Sequence, residues 1–277
     1  MATNDISIDS LAGAAAGAGG AAASVAIADS TVGGDIFARI DGASVSSLGN
    51  GVFVTADSAA AIDTPAIGAA VAAGFGGAGS FSNGTVDSSI AAAIRNGADV
   101  SAATDVLVTA QSGFDIDGDA GGLAGGFAGV AAAVLQYDLA PDTTASIEDS
   151  TVNATNAIEV RSISDLSSVD IDGFAGAGGA FSGQAVFADV DSDNDTTAFI
   201  GGSTVITRAN AVTVAANGIS NIDVNGTDLG IAGVAVGVMV VDAAETGWTR
   251  AFVGDGVTIG GSSAISSNVG SLFVTAD

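Results

Sequence analysis

The chain contains no cysteine, no histidine and no lysine, and its five basic residues are all arginine. The absence of cysteine excludes disulfides, thiolate nucleophiles and cysteine-based zinc sites. Without cysteine or histidine, the common catalytic triads and dyads and the usual zinc-ligand sets are excluded as well. We therefore expect that the protein is not an enzyme.

Large side chains and proline are also scarce. The 277 residues include one Trp, one Tyr and two Pro but 41 Gly, and the apolar fraction is nevertheless 48%, with a mean hydropathy of +0.55. Such hydropathy opposes intrinsic disorder despite the high net charge. Because small side chains let backbones approach closely, the composition favours a thin, tightly stacked structure.

Positive charge is nearly absent, since 31 acidic residues oppose five arginines and the net charge is −26. A chain with this charge repels nucleic acid and anionic membranes, so we expect neither as a partner. The same charge attracts divalent cations.

Sequence signals for export or membrane insertion are weak. Met1–Ser10 is polar and acidic rather than a basic segment followed by an apolar one, so we expect an export signal to lie outside this segment or export to use another route. Residues 11–28 form an uncharged run long enough to span a bilayer. Alanine and glycine are weakly hydrophobic, however, and no basic residue closely flanks the run, so we expect no membrane span.

Three sets of apolar residues recur at intervals of about 54 residues over the whole chain. The first set is Val54, Val108, Val160, Val214 and Val274. The second set is Ile40, Ile94, Ile147, Ile200 and Val253. The third set is Ile8, Ile62, Ile116, Ile171 and Val224. A constant period of this size indicates a repeat architecture.

We therefore interpret the chain, 1–277, as a single array. Its approximate repeats are 1–57, 58–111, 112–163, 164–217 and 218–277.

The content of one repeat indicates strands joined by short turns. In the fourth repeat, Ser168–Asp172 alternates polar and apolar residues, which predicts a half-buried strand. The Gly/Ala stretch 173–188 comes next. Because glycine disfavours helix, we interpret this stretch as a strand with small residues on both faces. We predict an all-β, parallel β-helix-like solenoid. A β-propeller, or repeats with small-residue helices, remains the alternative.

Stacking of such repeats predicts columns of acidic side chains. The residues that follow the third marker are Asp9, Asp63, Asp117, Asp172 and Asn225. The residues that precede it are Ser7, Ala61, Asp115, Asp170 and Asp223. Like charges about 5 Å apart repel by about 1 kcal/mol even in water, and a bound cation would reverse that effect. Ca²⁺ prefers oxygen ligands, so Asp115, Asp117, Asp170 and Asp172 are candidate calcium ligands.

The densest acidic run is a second candidate calcium site. Asp189, Asp191, Asp193 and Asp195 alternate with other residues in a predicted turn. The run lacks the later glycine and glutamate of an EF-hand loop. A solvated acidic loop is the alternative interpretation.

A carbohydrate-binding or polysaccharide-degrading β-helix is a rival hypothesis for the function. Paired carboxylates can hydrolyse glycosides, but such sites usually combine them with clustered basic and aromatic groups. Trp248 and Arg250 could form a small binding patch, but packing of an isolated strand residue on its neighbour is the favoured interpretation. Arg39 and Arg95 lie beside marker isoleucines, and we expect them to pair with neighbouring acids.

The repeat pattern resembles that of large bacterial surface proteins. In the fourth repeat an apolar Gly/Ala run, 175–188, is followed by 195–200 with the pattern Thr-x-Ala-x-Ile and then by the strands 203–205 and 212–215. This pattern is similar to the repeats of filamentous-haemagglutinin-like and leukotoxin-like filamentous adhesins. The resemblance implies an extracellular or cell-surface location, a structural or adhesive role, and no catalytic residues.

Neither end of the array looks like a polar capping repeat, which natural arrays need for solubility. We therefore expect the chain to be part of a longer array or to stack end to end with copies of itself, because exposed strand edges template pairing. A calcium-dependent stalk module, or a module with a cell-surface or carbohydrate ligand, is compatible with this expectation.

Overall fold

The computed structural model describes residues 1–260 and 269–277, and in this part of the chain every regular element is a β-strand. The strands are β1 (Ala2–Asp9), β2 (Ala12–Ala18), β3 (Ala21–Asp41), β4 (Ser44–Ser47), β5 (Val52–Asp63), β6 (Ala66–Ala72), β7 (Phe75–Arg95), β8 (Asp99–Ala102), β9 (Val106–Gly125), β10 (Ala128–Glu148), β11 (Thr151–Ala154), β12 (Ala157–Ser192), β13 (Asp195–Gly201), β14 (Val205–Ile206), β15 (Ala209–Glu245), β16 (Thr249–Val253), β17 (Thr258–Ile259) and β18 (Val269–Ala276). The predicted all-β class is confirmed. The alternative with small-residue helices is wrong for the described residues, since the Gly/Ala stretches are strands.

All the pairing is parallel, in one sheet of 13 strands and one of five. Each strand lies beside the strand about one period further along the chain, as Ala2 does beside Ala56. The first and second marker sets are in register along their whole length. This arrangement is compatible with a β-solenoid. We call the residues stacked at one height a level, and level 1 begins at β1.

The third marker set is not in register throughout. A bulge between Asp165 and Ser168 inserts one residue into β12, and beyond it Ile116 lies beside Val169, whereas the sequence predicted Ile171. Ile171 lies beside Gly118 instead. The predicted alignment of levels 3 and 4 is therefore wrong by two residues at this position.

The interior holds two large apolar clusters. Ile94, Ile147 and Ile200 are fully buried in the first cluster. Leu135 and Ile171 are almost fully buried in the second. Successive side chains of a strand point to opposite sides, so every second residue points inward and these residues form both clusters.

A polar bridge crosses the interior between the two clusters. The hydroxyls of Ser112 and Thr143 lie 2.8 Å apart, which brings opposite walls of the coil into contact. Ser112 donates to Ser164 at 3.0 Å, and Ser164 donates to the Asn194 side-chain oxygen at 2.6 Å. These side chains satisfy one another, as buried polar groups must.

The Gly/Ala stretches form a thin projection that we call the fin, made of residues 12–28, 66–82, 120–135, 173–188 and 226–241. At each level two strand segments face each other across it, and their inward side chains are mostly Gly, Ala and Ser. A Cβ at Gly68 would collide with the backbone oxygen of Gly79, and one at Gly122 with that of Ala132. Backbone therefore meets backbone across the fin. We call the remainder of the coil the trunk.

Candidate functional site

Five aspartates form a continuous column on the outer surface of the trunk beside the fin. Asp9, Asp63, Asp117, Asp170 and Asp223 are neighbours in register on successive levels. All five are exposed. Adjacent levels are about 4.8 Å apart in a sheet, so this carboxylate ladder concentrates like charge along one line.

The ladder corrects the predicted columns. The bulge places Asp117 beside Asp170, whereas the sequence predicted Asp172 at that place. Asp172 lies beside Asp119 in a second, shorter column. Asp119 was missed because the third marker set was misaligned by two residues.

Asp115 does not lie beside Asp170, contrary to the sequence prediction. Its register neighbour is Ser168, whose hydroxyl donates to the Asp115 carboxylate at 2.7 Å. This contact with a neutral donor removes Asp115 from the line of stacked carboxylates.

Partial burial and mutual repulsion disfavour ionisation within the ladder. Burial raises the pKa of the Asp117 carboxyl, and the nearby carboxylate of Asp63 raises it further. Burial also raises the pKa of Asp119, with Asp117 as the largest charged contribution. The pKa of Asp170 is raised by burial and then by Asp172. These carboxyls hold protons more tightly in the folded chain than when free, because folding partly desolvates them and places other carboxylates beside them.

The predicted acidic turn of the fourth repeat is mostly strand. Asp189 and Asp191 are outward residues of β12, separated by one inward residue. Asp189 lies between Gln136 and Asp242 in register. The correction follows from strand geometry, since alternate carboxylates project from one sheet surface rather than converge on a point.

The other two aspartates of this run lie beyond the end of β12. The Asp193 backbone N–H donates to the Leu139 oxygen at 2.8 Å. Asp195 begins β13, and its carboxylate accepts the backbone N–H of Trp248 at 3.1 Å. Burial raises the pKa of Asp195, whereas the Trp248 N–H lowers it. In residues 1–260 and 269–277, no three acidic side chains are grouped so as to hold a metal ion. Calcium binding therefore stays a prediction.

The arginines near the second marker set pair with an acid, as predicted. Arg95 lies 3.0 Å and Arg39 3.9 Å from the Asp41 carboxylate. Hydrogen bonds from Asn96 and Arg95 hold the pKa of Asp41 below its usual value. Arg250 lies over the Trp248 ring, 5.7 Å from its centroid, so these two side chains pack on each other.

Charge and apolar surface are segregated between trunk and fin. The fin ranges contain one charged residue, Asp228, and that residue occupies an inward position. Outward side chains of the fin are nevertheless apolar and exposed, for example Val25 at 66%, Val130 at 47% and Phe181 at 52%. An exposed apolar patch that spans a whole sheet is unusual in a monomer.

The sequence carried the signal for the exposed fin. Within each Gly/Ala run, the residues that point to one side of the strand and those that point to the other are both mostly apolar. This pattern is typical of strands that are covered on both faces.

A depression of about 430 Å³ lies where the carboxylate columns meet the fin. Gly121 forms its floor between the larger side chains of Ile67 and Phe174, and Asp119 and Asp172 lie along its edge. The depression is open to solvent and combines an apolar floor with two carboxylates.

Comparison with known proteins returned no matching family model, no matching curated protein and no matching solved structure. Within the described ranges there is no helix long and apolar enough to cross a membrane.

Proposed function

We propose that the chain is a five-level parallel β-solenoid that serves as a structural segment of an extracellular fibre or a large surface adhesin. The observation that carries this proposal is the parallel hydrogen-bonded ladder. It keeps the second marker set in register from Ile40 to Val253, and the first marker set in register from Val54 to Val274. A ladder that is continuous along one axis resists bending and stretching, which suits a stalk or fibre.

Strand edges at both ends of the described array suit continuation along the axis, either by copies of this chain or by further repeats of a longer array. Within the described residues, β1 pairs only with β5, and residues 217–245 of β15 pair only with β12. An unpaired parallel edge offers a row of backbone donors and acceptors to another chain. Head-to-tail contacts between such edges do not close and therefore generate filaments.

Electron microscopy of the purified chain tests this proposal. The expected result is unbranched filaments whose length rises with protein concentration and with salt, because salt screens the net charge of −26. Particles that remain single at every concentration and salt level would contradict end-to-end assembly and leave a stalk segment without self-assembly.

A second proposal, compatible with the first, is that divalent cations stabilise the stalk through the carboxylate ladder. The register that places Asp117 between Asp63 and Asp170 supports it, because like charges on adjacent levels repel and a bound cation would relieve that repulsion. Thermal unfolding in millimolar CaCl₂ and in NaCl of equal ionic strength tests it.

The wild-type chain is expected to unfold at a higher temperature in calcium. The double variant Asp117→Asn with Asp170→Asn is expected to lose that shift, whereas Asp87→Asn keeps it because its register neighbours are Gly33 and Ala140. An equal calcium effect on all three proteins would assign it to general charge screening.

A further inference from the structure

The exposed apolar surface of the fin is concentrated on its second strand. We call the outward residues of 21–27, 75–81, 128–134, 181–187 and 234–240 the outer fin face. Every outward residue in these ranges is Ala, Gly, Val, Ile or Phe. The face therefore extends over all five levels without a polar side chain.

Large and small side chains of this face interlock between levels. Side chains of one level lie over glycines of the next, as Val25 does over Gly79 and Val130 over Gly183, at 3.7 and 3.8 Å from where a Cβ would stand. Phe127 and Phe181 contact each other edge to face, with ring centroids 5.7 Å apart, near the tip of the fin. Apolar sheet faces pack against each other about 10 Å apart in β-sandwiches.

We propose that the outer fin face binds the same face of a second copy of this chain, so that two solenoids pair side by side. The seven residues of each range at about 3.3 Å per residue and the five levels about 4.8 Å apart give a face of about 23 Å by 24 Å. A face-to-face pair then buries about 1,100 Å² in total, which exceeds the roughly 1,000 Å² that a specific interface needs.

The distribution of charge favours a second copy as the occupant. Apart from the inward residue Asp228, the acidic residues lie on the trunk, so two fins can meet without bringing opposed carboxylates into the contact. Bordering aspartates such as Asp29, Asp189 and Asp242 lie at the base of this face, where they remain solvated. An anionic membrane would instead be repelled by the trunk.

Side-by-side pairing is independent of end-to-end stacking. A contact between identical faces related by a two-fold axis is closed and stops at a dimer. Stacking of strand edges is open and gives a continuous range of sizes. The two modes can therefore be separated by the distribution of masses.

Sedimentation equilibrium at several salt concentrations, below the protein concentration at which filaments form, tests the pairing. Under these conditions the wild-type chain is expected to form a discrete dimer that tightens as salt rises, because the Debye length falls to about 3 Å at 1 M and screens the repulsion between trunks. The double variant Val130→Asp with Phe181→Asp is expected to dimerise at least about tenfold more weakly, since it buries unpaired charge.

A control variant distinguishes the effect of charge placed on the outer fin face from the effect of added charge elsewhere on the protein. Thr55→Asp with Thr109→Asp adds the same two charges at outward, half-buried trunk positions. It is expected to dimerise like the wild type, and circular dichroism checks that all three proteins fold.

Three results would overturn the proposal. One is a wild-type chain that stays monomeric at high salt, and another is a fin variant that dimerises like the control. The third is a monomer that binds neutral phosphatidylcholine vesicles through the fin, which would assign the face to lipid. Filaments that persist unchanged in the fin variant would support end-to-end assembly separately.

Discussion

At the residue scale, the single tyrosine shows how glycines make room inside the coil. Tyr137 is 1% exposed, and its hydroxyl hydrogen-bonds Thr64 and, at 2.8 Å, Ser82. A Cβ on Gly118 would collide with the Tyr137 hydroxyl, and one on Gly84 with its ring. The glycines are required here by the volume of one neighbour rather than by backbone conformation.

We expect Gly118→Ala to destabilise the protein by about 1–3 kcal/mol, because an extra methyl group overpacks the Tyr137 site. Urea unfolding measures the change. Gly113→Ala on the same strand is the control, since no atom lies within 4 Å of its added Cβ. Its expected effect is neutral or slightly stabilising. Equal losses in the two variants would contradict the packing argument.

The carboxylate ladder leads to a pH dependence with a definite sign. The raised pKa values of Asp117, Asp119 and Asp170 mean that the folded chain binds protons more tightly than the unfolded one. Their contribution to stability is present below the ordinary aspartate pKa and is lost as pH rises through the folded values. Asp41 has a lowered pKa and acts in the opposite direction.

We expect Asp117→Asn to raise the unfolding temperature at pH 7 and to have no such effect near pH 3, where the wild-type carboxyl is itself protonated. The gain is of the order of 0.5–1 kcal/mol, given the Coulomb energy of exposed charges about 5 Å apart. Asp87→Asn, which lacks acidic register neighbours, is expected to change little. A gain that is the same at both pH values would refute the electrostatic cause.

At the scale of elements, one turn recurs on successive levels with residues chosen for backbone conformation. Gly42, Asn96, Asp149 and Gly202 have positive φ values of 60°, 60°, 47° and 61°. Glycine, asparagine and aspartate tolerate this left-handed region better than other residues do. The Asp149 carboxylate also accepts the Ser203 backbone N–H at 2.8 Å, which ties adjacent levels together.

We expect Gly202→Ala to cost about 1–2 kcal/mol, because φ is positive and the new Cβ would collide with the Asp149 carboxylate. Gly49→Ala is the matched control, as its φ is ordinary and the space around its Cβ is open. Thermal unfolding of both variants measures the difference. A Gly202→Ala chain as stable as the control would show that this turn is not strained by a side chain.

The strands and most of their register could be predicted from sequence because the period was visible in buried residues. The alignment of the third marker set could not, because Val169 and Ile171 are both inward apolar residues two positions apart and either could lie beside Ile116. A shift of two residues keeps the same face inward, so apolar periodicity does not distinguish the two alignments. The position of every ladder carboxylate from level 4 onward depends on that shift.

The exposure of the fin is a second feature that could not be predicted from the sequence. Small residues at Gly68 and Gly122 indicated close packing, and the structure has it. Exposure of the outward residues such as Val25 depends on what lies beyond the sheet, which no local pattern encodes.

At the scale of the whole molecule, the inward residue Asp228 opposes stacking on the edge formed by β15. Its register neighbours inside the fin are Ala175, Gly122, Gly68 and Ala14, all small and uncharged. Another level placed over Asp228 would bury its carboxylate, and inward-pointing charges at sheet edges limit aggregation in this way.

We therefore expect Asp228→Ala to lengthen end-to-end assemblies, by shifting the equilibrium at the β15 edge toward stacking. Asp242→Ala removes one charge from an outward position of the same level and serves as the control. Light scattering at equal protein concentration compares the two. Assemblies of equal size in both variants would show that net charge, rather than the inward carboxylate, limits growth.

In-register stacking of five levels is the central claim, and the distance between its first and last levels tests it most directly. Phe53 and Phe273 are exposed residues four registered steps apart in one column, through Leu107, Glu159 and Thr213. Because the chain has no cysteine, Phe53→Cys with Phe273→Cys can be spin-labelled specifically. The two Cβ atoms should lie about 19 Å apart, four steps of about 4.8 Å. Pulsed electron paramagnetic resonance should therefore give a narrow distribution of distances between the two spin labels, consistent with this separation. A broad distribution, or one centred beyond about 30 Å, would contradict the stacked ladder.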